Sequence, residues 1–190
     1  MPGTAIAACP VAADLKDGIR VDFEDGSYSI FDQFQGQIRE RILDTSEDPS
    51  ENFVAVLTTH KGVFQTSYFD MTSVSDRFHE SYTYSFSYDE VLPLVPGKHF
   101  GGTMTSVSTD DTYETPYSFA IGDEDLIEIG ECRYRVFPFT EFLKYPEGIT
   151  TVTLAYLTEL GISVLLEDKG QGYDAATYTP TQIRSLPISE

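Results

Sequence analysis

Residues 77–88 read RFHESYTYSFSY, and this stretch decides the fold class. All of its Phe and Tyr residues occupy even-numbered positions, whereas His, Ser and Thr occupy the odd positions from 79 onward. Because successive side chains of a β-strand point to opposite faces of the sheet, this alternation predicts one aromatic and one polar face. The predicted aromatic face comprises Phe78, Tyr82, Tyr84, Phe86 and Tyr88.

Further segments of strand length lie on both sides of this stretch, separated by turn residues. Asp25-Gly26 is a strong hairpin signal, and Lys61-Gly62 predicts a second turn. Helical turns are predicted only within 12–17 and 89–94, and the tail from Lys169 is predicted to be irregular. The candidate strands cover 19–24, 28–34, 37–43, 53–59, 63–71, 77–88, 103–109, 112–121, 126–139, 150–156 and 162–166.

These segments together predict an all-β fold with little helix. We expect a meandering antiparallel sheet of about ten to twelve strands, curved into a half-barrel or a barrel. Residues 1–10 are predicted to be a signal-peptide remnant or a flexible N-terminus, and residues 11–190 a single β domain. A chain of 190 residues is long enough to bury a sizeable core without a metal scaffold.

The charge balance excludes some classes of partner. The chain has 12 basic and 31 acidic residues, which gives a formal net charge of −19. Nucleic acids and anionic membrane surfaces attract basic patches, so neither is expected as a partner. The chain contains no run of eighteen apolar residues, and we therefore expect it not to span a membrane.

The N-terminal segment and the two cysteines bear on the cellular compartment. Thr4–Ala8 resembles the end of a secretory signal peptide, and Ile6-Ala7-Ala8-Cys9 resembles a lipobox, whose Cys is lipidated after cleavage. Cys9 has two other possible fates: a disulfide with Cys132, or a free thiol. A disulfide would suit an oxidising compartment and close a long loop. The chain is therefore expected to be periplasmic or secreted, with a lipid anchor at Cys9 as one alternative.

The sequence contains no recognisable catalytic or metal-binding motif. The histidines His60, His79 and His99 lack the spacing of a zinc site, and surface or supporting roles are expected for them. Asp44-x-Ser46-x-Asp48 begins like a calcium loop, but Pro49 stands where an EF-hand needs Gly. We therefore predict no catalytic residues, no metal and no cofactor.

The aromatic face of residues 82–88 has two interpretations. Phe and Tyr are strong strand formers, and a stripe of them usually packs into a core. Such a stripe can also line a ligand cavity or stack on sugars. Both interpretations stay open here, and Tyr82, Tyr84, Phe86 and Tyr88 are the candidate binding residues.

Three segments carry a resemblance to known proteins. They are Cys9–Gly18 (CPVAADLKDG), Ile129–Val136 (IGECRYRV) and Tyr156–Ile162 (YLTELGI). They resemble small exported β-rich proteins of Gram-negative bacteria, most of them uncharacterised. The resemblance implies a periplasmic location and a curved antiparallel sheet, similar to the half-barrels of lipoprotein carriers. It implies no catalytic residues.

The leading functional hypothesis is a non-catalytic periplasmic or envelope protein. Its aromatic sheet face would bind a lipid-like or other amphipathic small molecule, or another envelope protein. One alternative is a structural or assembly module that pairs through exposed edge strands. Another is a hydrolase whose site has no sequence signature.

Overall fold

The computed structural model describes residues 8–44, 53–71, 78–170, 172 and 174–187, and it consists almost entirely of β-strands. A short 3-10 helix (Ala12–Lys16) precedes the first strand, and one turn of α-helix, α1 (Tyr88–Val91), follows the sixth. The strands are β1 (Ile19–Phe23), β2 (Tyr28–Phe34), β3 (Gln37–Asp44), β4 (Phe53–His60), β5 (Phe64–Asp70), β6 (His79–Tyr84), β7 (His99–Val107), β8 (Thr112–Ile121), β9 (Asp125–Ile129), β10 (Cys132–Tyr145), β11 (Gly148–Leu157), β12 (Ile162–Lys169), β13 (Ala176–Thr177) and β14 (Pro180–Ser185).

All the described strands belong to one antiparallel sheet. Its order is β13-β12-β11-β10-β8-β7-β6-β5-β4-β3-β2-β1-β14, and β9 pairs with the first part of β10. The prediction of an all-β antiparallel fold with little helix is confirmed. The described part of the chain forms fourteen strands, where about ten to twelve were expected, and these strands leave the sheet open instead of closing it into a barrel. Strand β10 is long because its first part pairs with β9 and its later part with β8, while β11 runs along its other edge.

The sequence prediction was wrong at several places, among them the start of β7, which begins at His99 and not at residue 103. The strand predicted over 77–88 ends at Tyr84, because Ser87 and Glu90 form a capping box that starts α1. The strand predicted over 126–139 is a hairpin, with Gly130 at a positive φ of 62° in its turn. The tail is not irregular, because β14 pairs with β1, a partner too distant in sequence for local patterns to reveal.

Two apolar clusters lie on opposite faces of β10 and β11. Val136 and Leu157 are paired across the two strands and belong to the first cluster, together with Ile19 of β1. Phe139 is paired with Leu154, and both belong to the second cluster. Since side chains alternate along a strand, the two pairs face opposite ways. The sheet is therefore curved so that β1 packs on one face of β10 and β11, while the second cluster, which continues onto the neighbouring strand β8 through Phe119, covers the other face.

The N-terminal segment is tied to the sheet by a disulfide. Cys9 and Cys132 are bonded, with their Cα atoms 5.5 Å apart and 123 positions apart in sequence. The Tyr134 hydroxyl donates a hydrogen bond to the Pro10 carbonyl over 3.1 Å. Of the three alternatives for Cys9, the structure forms the disulfide, which occupies the sulfur that lipidation would need. The signal-peptide segment up to Ala7 lies outside the described residues.

Candidate functional site

The concave face of the curved sheet encloses a cavity of about 470 Å³. Strands β2 to β8 and β10 to β12 all contribute side chains to its walls. Much of the lining is aliphatic, including Leu57 on β4, Leu143 on β10 and Val152 on β11. This volume lies within the range of small-molecule sites in proteins, which are concave and mainly apolar with a few polar groups.

The four predicted binding residues are brought together, but only two of them line the cavity. Tyr82 and Tyr84 form part of its wall, whereas Phe86 and Tyr88 lie beyond the end of β6. Tyr84, Phe86 and Tyr88 all surround the buried ring of Phe64, with centroid distances of 5.5, 5.4 and 5.3 Å. The core and cavity interpretations of the aromatic stripe therefore each describe part of it.

One end of the cavity opens to solvent between aromatic side chains. Phe78 and Tyr113 both line the cavity and are 45% and 40% exposed. Glu80, which is 6% exposed, lies just inside. It accepts hydrogen bonds from the hydroxyls of Tyr82 and Tyr113, each over 2.5 Å. These bonds fix two of the tyrosines near the mouth.

Two further glutamates project into the cavity with few hydrogen-bond partners. Ser29 donates to Glu40 over 2.6 Å, and Tyr117 donates to Glu141 over 2.7 Å. Burial raises the pKa of each carboxyl to about 7, although each accepts a hydrogen bond that lowers it. Both glutamates are half-buried. Protein surrounds their carboxyl groups on most sides, and the cavity leaves them accessible on the remaining side.

The tyrosines of the cavity wall also have raised pKa values. Burial, followed by the hydrogen bond to Glu80, raises the pKa of Tyr113 to about 12. The pKa values of Tyr84 and Tyr117 lie well above the usual value because of burial and then the neighbouring Glu141 charge. The tyrosines are therefore hydrogen-bond donors, not phenolates, at physiological pH.

The carboxylates were missed in the sequence, although a signal for each was present. Glu40 stands between Ile38 and Ile42, two positions from each. Glu141 stands between Phe139 and Leu143 in the same way. A charged residue that interrupts an apolar strand face is directed towards the core unless the face is open. Glu80, between Phe78 and Tyr82, follows the same pattern.

The histidines lie outside the cavity wall. His60 stacks on Tyr88, with their ring centroids 4.3 Å apart, and His79 lies beside Phe69. His99 is exposed at the start of β7. Among the described residues no group of three or more His, Cys, Asp or Glu side chains is placed to hold a metal ion. The acidic motif at Ser46 and Asp48 lies outside the described residues.

Comparison with known proteins assigns the chain to no family. No protein-family model matches it. No curated protein is a significant match. The crystal structure of the hypothetical lipoprotein YmcC from Escherichia coli (K12) is similar, with a TM-score of 0.44 and 13% identity over 93% of this chain and 90% of that one. At that score the similarity carries no argument about function.

No helix in the described ranges is long and apolar enough to cross a membrane.

Proposed function

We propose that this protein is a non-catalytic periplasmic or envelope protein that binds an apolar or amphipathic small molecule inside its curved sheet. The observation that supports the proposal most strongly is the cavity of about 470 Å³ beneath the aromatic face of β6. It combines features expected of such a site: a concave volume, a mainly apolar wall and polar groups distributed within that wall.

The walls favour a ligand with a substantial apolar part. Leu57, Leu143 and Val152 contribute alkyl groups from three different strands, and Tyr82 and Tyr84 contribute rings. Alkyl and aromatic surface in contact with water is unfavourable by roughly 25 cal/mol per Å². A ligand that displaces water from these walls gains this free energy, whereas a purely polar ligand does not.

The disulfide supports the proposed location. Cys9 and Cys132 are the two cysteines of the chain, and they are bonded to each other. Structural disulfides persist in the periplasm and outside the cell and are rare in a reducing cytosol. The periplasm, or another compartment outside the cytoplasm, is therefore the best-supported location for this protein.

The edge-pairing alternative has less support. The strand at one end of the sheet, β13, contains two residues, and β14 at the other end begins with Pro180. Short edges and edge prolines are features that prevent strand addition. A binding partner that recognises the sheet edge is therefore a weaker candidate than a small molecule in the cavity.

A neutral fluorescent probe tests the proposal. We expect 1-N-phenylnaphthylamine to become fluorescent with the protein at one site per chain. Leu57→Trp and Val152→Trp, which fill the cavity from two strands far apart in the sheet order, are expected to reduce its affinity at least tenfold. Ile149→Trp, at a 54% exposed position outside the lining, is the matched control and is expected to bind normally. Equal binding by the folded filling variants and the control would overturn the proposal.

A further inference from the structure

The cavity wall carries one sign of charge only. Its ionisable side chains, tyrosines aside, are Glu40, Glu80, Glu141 and Asp168. None of the described residues that line it is Lys, Arg or His. An anionic group placed inside would meet carboxylates and no counter-charge in a medium that screens poorly. The wall therefore discriminates against fatty acids and against phosphate or sulfate headgroups.

Glu40 and Glu141 retain hydrogen-bond acceptor capacity on the cavity side. A carboxylate offers about four acceptor positions. Within the described part of the chain, Glu40 accepts one hydrogen bond, from Ser29, and Glu141 accepts one, from Tyr117. Glu80 differs, because two tyrosine hydroxyls already donate to it. The first two carboxyls are therefore the ones placed to receive a donor from a ligand.

A buried hydroxyl adds to the polar part of the wall. Ser106 lines the cavity and is 0% exposed, and its hydroxyl lies near that of Tyr113, whose pKa it lowers. It is paired across the sheet with Tyr82 on one side and Tyr113 on the other. The hydroxyls of both tyrosines donate to Glu80. Ser106, Tyr82, Tyr113 and Glu80 therefore form the polar part of the wall near the mouth.

The aromatic lining favours a ligand that carries a positive charge. Tyr68, Tyr82, Tyr84, Tyr113, Tyr117 and Tyr145 all contribute to the wall. The faces of aromatic rings carry partial negative charge and attract ammonium groups, most strongly where water is excluded. Rings and carboxylates together are the usual surroundings of a bound amine.

We propose that the ligand is an amphipathic cation, with an apolar body against the aliphatic wall and an amine or ammonium group that binds a wall carboxylate, Glu40 or Glu141. This inference rests on the proposed function, because it names the ligand class of the same cavity. The headgroup supplies the positive charge that the wall lacks.

Calorimetry with three probes of equal chain length tests the inference: decylammonium, decanol and decanoate, each below its micelle concentration or solubility limit at pH 8 and 0.15 M NaCl. We expect one site for the cation, with at least tenfold higher affinity than for decanol, and weaker binding of decanoate than of decanol. In the double variant Glu40→Gln/Glu141→Gln we expect the preference of the cation over decanol to fall at least tenfold. Binding of decanol is expected to be unchanged.

The controls separate the cavity from the acidic surface. Glu128→Gln removes an exposed carboxylate of β9 and is expected to leave every affinity unchanged. Val152→Trp is expected to abolish the one-site binding of the cation, and heat that persists in this variant measures attraction to the surface. Similar affinities for all three probes, or a preference for decanoate, would overturn the cation assignment while leaving the proposed function intact. Failure of all three probes and of the neutral dye would overturn both.

Discussion

The Tyr117 hydroxyl on β8 donates a hydrogen bond to Glu141 Oε1 on β10 over 2.7 Å. The two residues are diagonal neighbours, because Phe119 is the residue directly opposite Glu141 in the sheet. The bond joins two neighbouring strands of the cavity wall and supplies the glutamate with a single donor. A carboxyl in this position resists ionisation, and burial raises its pKa to about 7.

The raised pKa of Glu141 predicts a stability that falls with pH. Its usual pKa is 4.5, so between about pH 4.5 and pH 7 the unfolded chain loses this proton while the folded chain keeps it. The free energy of unfolding therefore decreases as pH rises through this interval, and the loss is complete above about pH 7. We expect Glu141→Gln to be more stable relative to wild type at pH 8 than at pH 4, by at most about 3 kcal/mol.

Urea unfolding at several pH values measures this effect. Glu40→Gln is expected to behave in the same way, because burial also raises the pKa of Glu40 to about 7. The exposed Glu128→Gln is the control, and its difference from wild type is expected to be independent of pH. A Glu141→Gln difference that is the same at pH 4 and pH 8 would show that the carboxyl ionises normally.

The Cys9–Cys132 disulfide is expected to contribute substantially to stability. It closes a loop of 123 positions, for which chain entropy gives a stabilisation of about 4–5 kcal/mol. We expect no reactive thiol in the denatured protein without reductant and two after reduction. Reduction is expected to lower the urea midpoint of the wild type but not that of Cys9→Ser/Cys132→Ala. Two thiols before reduction would contradict the disulfide.

Gly62 is expected to tolerate no side chain. Its φ is +73°, and a Cβ there would lie 2.1 Å from the Gly161 carbonyl oxygen. Ser163 Oγ also donates to the Gly62 carbonyl, so the β4–β5 turn is held against the start of β12. Gly62→Ala is expected to cost several kcal/mol more than Gly26→Ala, which has a similar φ of +90° but nothing within 4 Å. Equal losses of stability would show that the contact is not tight.

Of the rings in the aromatic cluster, that of Phe64 is expected to contribute most to the free energy of unfolding. It is 0% exposed and lies within 5.5 Å, centroid to centroid, of Tyr84, Phe86, Tyr88 and Phe119. Phe64→Ala is expected to lower the free energy of unfolding by about 3–5 kcal/mol. Phe142→Ala, at a 36% exposed position on β10, is expected to cost less than about 1 kcal/mol. Comparable losses in the two variants would contradict this packing.

Most strand positions could be predicted from the sequence, because alternation is a local property. The segments 28–34 and 112–121 coincide with β2 and β8. Tertiary pairing was not accessible in this way: β14 is a strand because it pairs with β1. Local capping was present but overlooked, since Ser87 and Glu90 end the aromatic strand early.

The cavity was only partly predictable for a physical reason. Alternation places Tyr82 and Tyr84 on one face, but it does not say whether that face meets other side chains or an open volume. The position of Glu141 between Phe139 and Leu143 was a readable sign of a polar group on an apolar face. Its significance depends on the curvature of the sheet, which brings β3 and β10 to opposite sides of the same cavity.

The most direct test of the cavity as a ligand site is the position of a bromine atom in crystals grown with neutral decanol brominated at the end of its chain. We predict an anomalous bromine peak inside the curved sheet, near Leu57 and Val152, that is absent when Val152 is replaced by Trp. A bromine peak confined to the outer surface, with the cavity unchanged in wild type and variant, would contradict the proposed function.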